Sequence, residues 1–229
     1  MSIFTKHNLR KKMEIDLLKN YPKSKRDPNA RQAALTEEMR AVARQFGQAF
    51  FDGDRLYGYG GFKYFPRFWQ PVIPDFKRHF SLDANSKVLD VGCAKGFMLH
   101  DFREVIPGIE VSGLDISSYA IEHAKEEVKP FLRVGNAIEL PYEDNSFDAV
   151  FSINTVHNLE KEECGKALQE IMRVSKGKAF ITVDAYRNDE EKERMFAWNL
   201  TAKTIMHVDE WKAFFKEVGY TGDYYWFIP

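Results

Sequence analysis

Acidic and small polar residues recur at the ends of short apolar runs, and their types suit a ligand with two different polar ends. Asp90 closes the run that begins at Val88 and leads into Gly92-Cys93-Ala94-Lys95-Gly96. Asp115 and Ile116 end a second run, "VSGLDI". Asn136-Ala137 follow a third, Asn154 a fourth, and Asp184 a fifth. A turn of small residues lets backbone amides approach a nucleotide closely, and a dinucleotide turn wants G-x-G-x-x-G. Here Ala94 and Phe97 occupy the second and third glycine positions, and no G-K-[ST] follows to cradle a triphosphate. A carboxylate at Asp90 would repel a pyrophosphate but attract an ammonium group. Asp115 can accept hydrogen bonds from both hydroxyls of a ribose. Asn136 and the Ala137 amide can address an adenine edge. A nucleoside carrying an amino-acid tail meets this description.

Other residues suggest what happens beside that ligand. His157 lies three positions after Asn154 and, with an unperturbed pKa of about 6.5, is the candidate general base. Asp184 and Tyr186 either line an acceptor pocket or cap the following helix. "YGYGGFKYF" interleaves Tyr57, Tyr59 and Tyr64 with Gly58, Gly60 and Gly61. Such a segment can bend over a ligand as a lid that excludes water, and Tyr59 is a further candidate catalytic group. Trp69, Trp198, Trp211 and Trp226 read as core. Cys93 takes a packing role in the turn. With Cys164 it forms no CxxC or Cys/His cluster, so no metal site is expected and the chemistry should be metal-independent.

The elements that position these residues follow from periodicity. From Lys87 onward, short apolar strands ("KVLDVG", "VSGLDI", "FLRVGN", "SFDAVFSIN", "GKAFITVDA") alternate with amphipathic helices (97–106, 117–128, 161–175). That alternation predicts a parallel sheet wound on both faces. The tail adds helices over 189–202 and 206–220 and a strand in "DYYWFI"; "AKTIMH" is either one strand more or none. The expected fold is α/β, a Rossmann-like, doubly wound, mostly parallel sheet of six or seven strands. Upstream, Leu9, Met13 and Leu17 form one stripe of a helix over 8–19, and a second helix is expected over 35–50. Residues 1–82 thus read as a helical cap and aromatic lid, and 83–229 as the ligand-binding domain.

On these motifs residues 87–186 resemble the class I S-adenosylmethionine-dependent methyltransferases. The first motif is Asp90, Gly92, Ala94, Gly96; the second is "LDIS"; the third is "NAIELPYEDNSFD". The resemblance implies that S-adenosylmethionine is the cofactor. Asp90 and Gly92 would hold its methionine end, with Cys93, Ala94 and Gly96 in the same turn, Asp115 the ribose, Ile116 one adenine face, and Asn136 and Ala137 the adenine edge. Asn154 would lie beside the sulfonium. Ala94 stands where the family has glycine, which a methyl group tolerates at negative φ. Asn136 replaces the usual Asp and can still accept from the adenine amino group. The family commonly ends in an antiparallel strand pair.

Charge narrows the acceptor. The 33 basic and 34 acidic residues give a net −1, which is not the footprint of a nucleic-acid binder. Residues 1–40 carry ten Lys/Arg against five Asp/Glu, a local +5 read as a solvated surface. "NTVH" stands where amino-methylating nucleic-acid enzymes carry [ND]-P-P-[YF]. The favoured reading is methyl transfer to oxygen or nitrogen of a small molecule: a sugar, nucleotide-sugar, amino acid or secondary metabolite. Its rivals are a methyltransferase on RNA or protein and a non-catalytic cofactor-binding subunit. No apolar run approaches the roughly 18 residues of a membrane span, and "MSIFTKHNLRKKMEID" has no h-region. A cytoplasmic protein is expected, without nucleic-acid or membrane partners and with a homodimer left open.

Overall fold

A computed structural model describes residues 13–23, 35–60 and 63–229. In chain order the helices of the N-terminal part are α1 (Glu37–Ala43), α2 (Gln48–Asp52), α3 (Pro66–Trp69) and α4 (Ile73–Phe80). The body runs β1 (Lys87–Val91), α5 (Phe97–Val105), β2 (Glu110–Asp115), α6 (Ser118–Glu122), β3 (Leu132–Val134), β4 (Ala149–Ile153), α7 (Lys161–Val174) and β5 (Ala179–Tyr186). It closes with α8 (Asp189–Trp198), β6 (Met206–His207), α9 (Val208–Glu217) and β7 (Asp223–Phe227).

The seven strands form one sheet with the order β3-β2-β1-β4-β5, with both β6 and β7 pairing β5. Every strand pairing is parallel. The expected antiparallel ending is therefore replaced by β7 running parallel to β5, with Phe180 registered on Asp223 and Asp184 on Phe227. "AKTIMH" contributes only the two residues of β6, beside Ala185 and Tyr186. Parallel strands buried on both faces need continuous apolar runs, and Val88, Leu89, Val91, Val150 and Phe151 are fully buried.

Each face of the sheet has its own core. On one, Phe76 of α4 sits edge-on to Phe151 and Phe180 of the sheet and to Phe102 of α5. On the other, Trp211 and Phe215 of α9 pack with Tyr220, Tyr224 and Trp226. Trp198, Trp211 and Trp226 are buried and Trp69 partly so.

Three helices differ from their periodicity. Within the described part of 8–19 no helix forms. Glu14 instead bridges Tyr224, with Ile15 N donating to Tyr224 O at 3.0 Å and Tyr224 N to Met13 O at 3.1 Å. The open edge of β7 captures the segment, a tertiary hydrogen-bonding opportunity that periodicity does not show; Leu9 lies outside the described residues. The helix expected over 35–50 divides into α1 and α2 at Phe46, whose φ is 50°. The helix expected over 117–128 stops at Glu122 because the Lys125 amide donates to Lys95 O, in the turn after β1. The Lys125 ammonium lies over the Tyr64 ring. Among the described residues, no helix is long and apolar enough to cross a membrane.

Candidate active site

The site is built from the carboxyl ends of β1, β2, β4 and β5, where ligands of open α/β sheets bind. After β1 the chain turns through Gly92 (φ 88°), Ala94 (φ 49°) and Gly96 (φ 74°). A Cβ on Gly92 would fall 2.1 Å from Thr155 Oγ1, so the turn closes against the β4 loop only because that carbon is missing. Ala94 departs from the negative φ that its methyl group called for. It adopts the left-handed conformation anyway, which costs a non-glycine residue about 1–2 kcal/mol. The strain has a visible counterpart: the Ala94 amide donates to Asp115 Oδ2 at 2.8 Å. Cys93 is buried, its amide bonded to Leu114 O and its sulfur packed beside Gly113.

Two carboxylates face this turn. Asp115 is 8% exposed and accepts from Ala94 N and Ser117 N, one amide on each oxygen. Burial raises its pKa, opposed by those backbone bonds. Asp90 is 4% exposed, and no described residue donates to its carboxylate. Burial, then the nearby Asp115 charge, pushes it up to about 8. A buried acid without a donor is an unmet valence, and a cation arriving there would restore its ionised form.

Next to Asp115, Ile116 is 55% exposed, and Val134, the register partner of Asp115 in β3, is 54% exposed. Two bare apolar side chains at strand ends suit the face of a flat ring. Asn136 and Ala137 are half-buried beyond β3, with Asn136 Oδ1 accepting from Ile138 N at 3.2 Å. Asn154 ends β4 with φ 53°; its Oδ1 accepts from Thr182 Oγ1 at 2.8 Å.

The expected catalytic group stands elsewhere. His157 is 3% exposed, and its Nδ1 accepts from the Asp184 amide at 3.0 Å. That bond leaves the proton on Nε2, which points at Asp184 Oδ1 3.6 Å away. Burial pushes the imidazole down to about 3 and the Asp184 carboxyl up to about 8. A buried ring whose Nδ1 is already used by the Asp184 amide does not suit a base that meets an acceptor in the mouth. His157 instead joins β4 to the loop after α8, whose Lys203 and Thr204 amides donate to its carbonyl. Asp184 uses its main chain here, its carbonyl accepting from Trp211 Nε1 at 3.0 Å, while no described residue donates to its carboxylate within hydrogen-bond distance. Tyr186 is half-buried, edge-on to His207 and under Lys192.

The N-terminal part reaches over the strand ends at several points. Asp52 of α2 meets Lys95 of the glycine turn at 2.6 and 2.7 Å and accepts from Tyr119 Oη at 2.8 Å. Burial would raise the Asp52 pKa, but the hydrogen bonds from Lys95 and Tyr119 leave it lowered. Ser117 Oγ donates to Phe46 O. Tyr59 stacks on Trp198, and its hydroxyl accepts from the Leu200 amide at 2.6 Å. Tyr64 donates to Asp101 on α5 at 2.5 Å. Tyr57 is half-buried in a turn closed on Asp54 O; Gly60 takes φ 120°, and Gly61 lies outside the described residues. Asp52 and Lys95 escaped sequence reasoning, because forty-three positions separate them and nothing local marks either.

A parallel sheet of this order, with one acid behind the β1 turn and a second at the end of β2, defines a nucleoside-binding α/β protein. A family model described as a methyltransferase domain matches residues 82–219. The chain belongs to that family, the class I S-adenosylmethionine-dependent methyltransferases. Among curated relatives, a tRNA (carboxymethyluridine(34)-5-O)-methyltransferase of Arabidopsis thaliana is 32% identical, over 57% of this chain and 31% of its own. A demethylmenaquinone methyltransferase of Symbiobacterium thermophilum is 30% identical, over 62% of this chain and 59% of its own. The chain thus spans from about a third to about six-tenths of these relatives' lengths. The solved YcgJ protein of Bacillus subtilis shares the fold, with a TM-score of 0.52 at 22% identity, covering 62% of this chain and 65% of that one.

The residues present fit the family's methyl donor. An ammonium answers the unpartnered Asp90 carboxylate. Ribose hydroxyls answer the lone pairs left on Asp115, and an adenine ring answers the bare Ile116 and Val134.

Proposed function

We propose that the protein transfers a methyl group from S-adenosylmethionine to oxygen or nitrogen of a small molecule. When bound, the donor supplies an electrophilic methyl on a sulfonium, a good leaving group. The chain's own residues then have three tasks. Asp90 and Asp115 hold the donor beside the Gly92–Gly96 turn, whose Gly92, Cys93, Ala94 and Gly96 amides are spent inside the protein on keeping the turn in shape. Asn154, pinned by Thr182, shapes the floor where the acceptor arrives. The cap excludes water and presents the acceptor in line, which is most of what such a displacement asks of a protein. His157 has no part in proton removal in this scheme; it keeps the β4 end and the loop after α8 together.

The observation carrying the small-molecule reading is the cap. Phe46, Asp52 and Tyr59 each bond to a different loop at the strand ends, Ser117, Lys95 and Leu200 respectively. A mouth roofed at three points suits an acceptor that can be enclosed. A base within a folded RNA would have to displace that roof. The RNA reading draws on one relative's name and on the basic 1–40 segment, most of which lies outside the described residues.

The deciding experiment supplies methyl-labelled S-adenosylmethionine and a cell extract separated by size. Label in the small-molecule fraction is expected, and mass spectrometry then identifies the acceptor. Label in RNA or protein overturns the small-molecule reading. Tight cofactor binding with label in neither fraction points to the non-catalytic subunit.

A further inference from the structure

The donor's tail is a zwitterion. Asp90 answers its ammonium, but none of the residues assigned above answers its carboxylate. The cation of the glycine turn, Lys95, is only 5% exposed and is held by both oxygens of Asp52.

Arg44, at the C-cap of α1, is differently placed. Its Nε is buried and has no hydrogen-bond partner. No hydrogen bond or ion pair joins its guanidinium to another described residue. A guanidinium carries five donors in a fixed fork, and leaving a buried donor unmet is costly. Its position follows from its neighbours. Arg40, one turn earlier and so on the same helix face, donates from Nε to Asn199 O at 3.2 Å. Two residues after Arg44, the Phe46 carbonyl accepts from Ser117. The loop that starts at Asn199 lies over β4, because Lys203 and Thr204 bond to the carbonyl of His157. Ser117 follows β2. In the sheet, β1 lies between β2 and β4. The chain between the two anchors therefore crosses above the end of β1, where Asp90 and Gly92 stand.

We propose that Arg44 receives the carboxylate of the donor's amino-acid tail, so that cap and turn grip opposite charges of one zwitterion. The proposal rests on the reading of the site as an S-adenosylmethionine site. A bidentate guanidinium–carboxylate pair is among the stronger protein hydrogen-bonding arrangements. It also gives the cap a reason to close on donor before acceptor.

Calorimetry with S-adenosylhomocysteine and with its decarboxylated analogue tests this on the full chain. Arg44→Met should weaken S-adenosylhomocysteine about tenfold or more, the scale of a hydrogen bond to a charged group. It should leave the analogue within about twofold, and Arg44→Lys should recover part of the loss. The analogue doubles as a folding control, since a damaged protein loses both ligands. Unchanged S-adenosylhomocysteine affinity overturns the proposal, as does equal loss of both ligands by a variant that melts at the unaltered protein's temperature. Failure of the unaltered protein to bind either ligand would remove the donor reading and this proposal with it.

Discussion

Around β1 and β2 the polar groups at the strand ends have unmet bonds, whereas around β4 and β5 they are bonded to one another, the Asp184 carboxylate excepted. Asp90 has no described donor, Asp115 keeps lone pairs beyond its two amides, and Ile116 stands bare. Across the mouth, His157 Nδ1 is taken by Asp184 N, Asp184 O by Trp211, and Asn154 Oδ1 by Thr182. Both regions hold buried ionisable groups, so burial and shifted pKa values do not distinguish a binding residue from a structural one. What distinguishes them is the setting: the Asp184 carboxylate, like that of Asp90, has no described hydrogen-bond donor, but it faces the buried His157 Nε2 at 3.6 Å, whereas Asp90 stands behind the β1 turn beside the exposed Ile116 side of the mouth. On the proposed reading the first region receives the ligand and the second holds the fold together.

Four substitutions would break or sharpen that contrast. The largest effect is expected from Asp115→Ala, which removes two charge-assisted bonds to the ribose. At roughly 1.5 kcal/mol each, S-adenosylhomocysteine affinity should fall about a hundredfold by calorimetry. Unchanged affinity would mean that the ligand does not sit at the end of β2.

Asp90→Asn should weaken the same ligand by about tenfold or more, yet stabilise the empty protein at alkaline pH. The sign follows from its raised pKa. The folded protein keeps a proton up to about 8 that an ordinary Asp releases near 3.8. Its contribution is full below about pH 4 and is lost as pH climbs through 8. Melting curves should therefore favour Asp90→Asn most at pH 8 and above, with the gap closing toward pH 4. A gap that widened on acidification would contradict the assignment.

His157→Gln tests the other side of the mouth. It should destabilise by about 1–3 kcal/mol, the cost of disturbing a buried hydrogen-bonded group. The rate–pH profile should keep its shape between about pH 5.5 and 8, because an imidazole pushed down to about 3 does not titrate there. Loss of an inflection near 6.5 in the variant would restore His157 as a base.

The smallest effect is Ala94→Gly. Relief of the left-handed strain, less the added freedom of the unfolded chain, should raise stability by about 0.5–1 kcal/mol in denaturant melts. A loss would show that the methyl group packs usefully.

Much of the body was legible because its rules are local. The apolar runs at 88–91 and 149–153 can only be strands covered on both faces, and the alternation with helices sets a parallel sheet. Asp90, Gly92 and Asp115 fall at strand ends once those strands are placed. The N-terminal part was less legible. Met13 and Leu17 satisfy a helix stripe, yet the free edge of β7 offered backbone partners that helix periodicity cannot register. His157 had the right residue type and spacing for a base, but its neighbours came from β5 and from the loop after α8.

Residue order and type alone were enough for the family, the strand-end acids and the small-residue turn, since each depends on contacts within one β-turn-α unit. Folding alone decided that the Asp90 carboxylate would find no donor, that His157 would be sealed, and that Asp52 would meet Lys95. Those outcomes depend on groups tens of residues apart being desolvated together, and desolvation belongs to the packed molecule and not to any stretch of its chain.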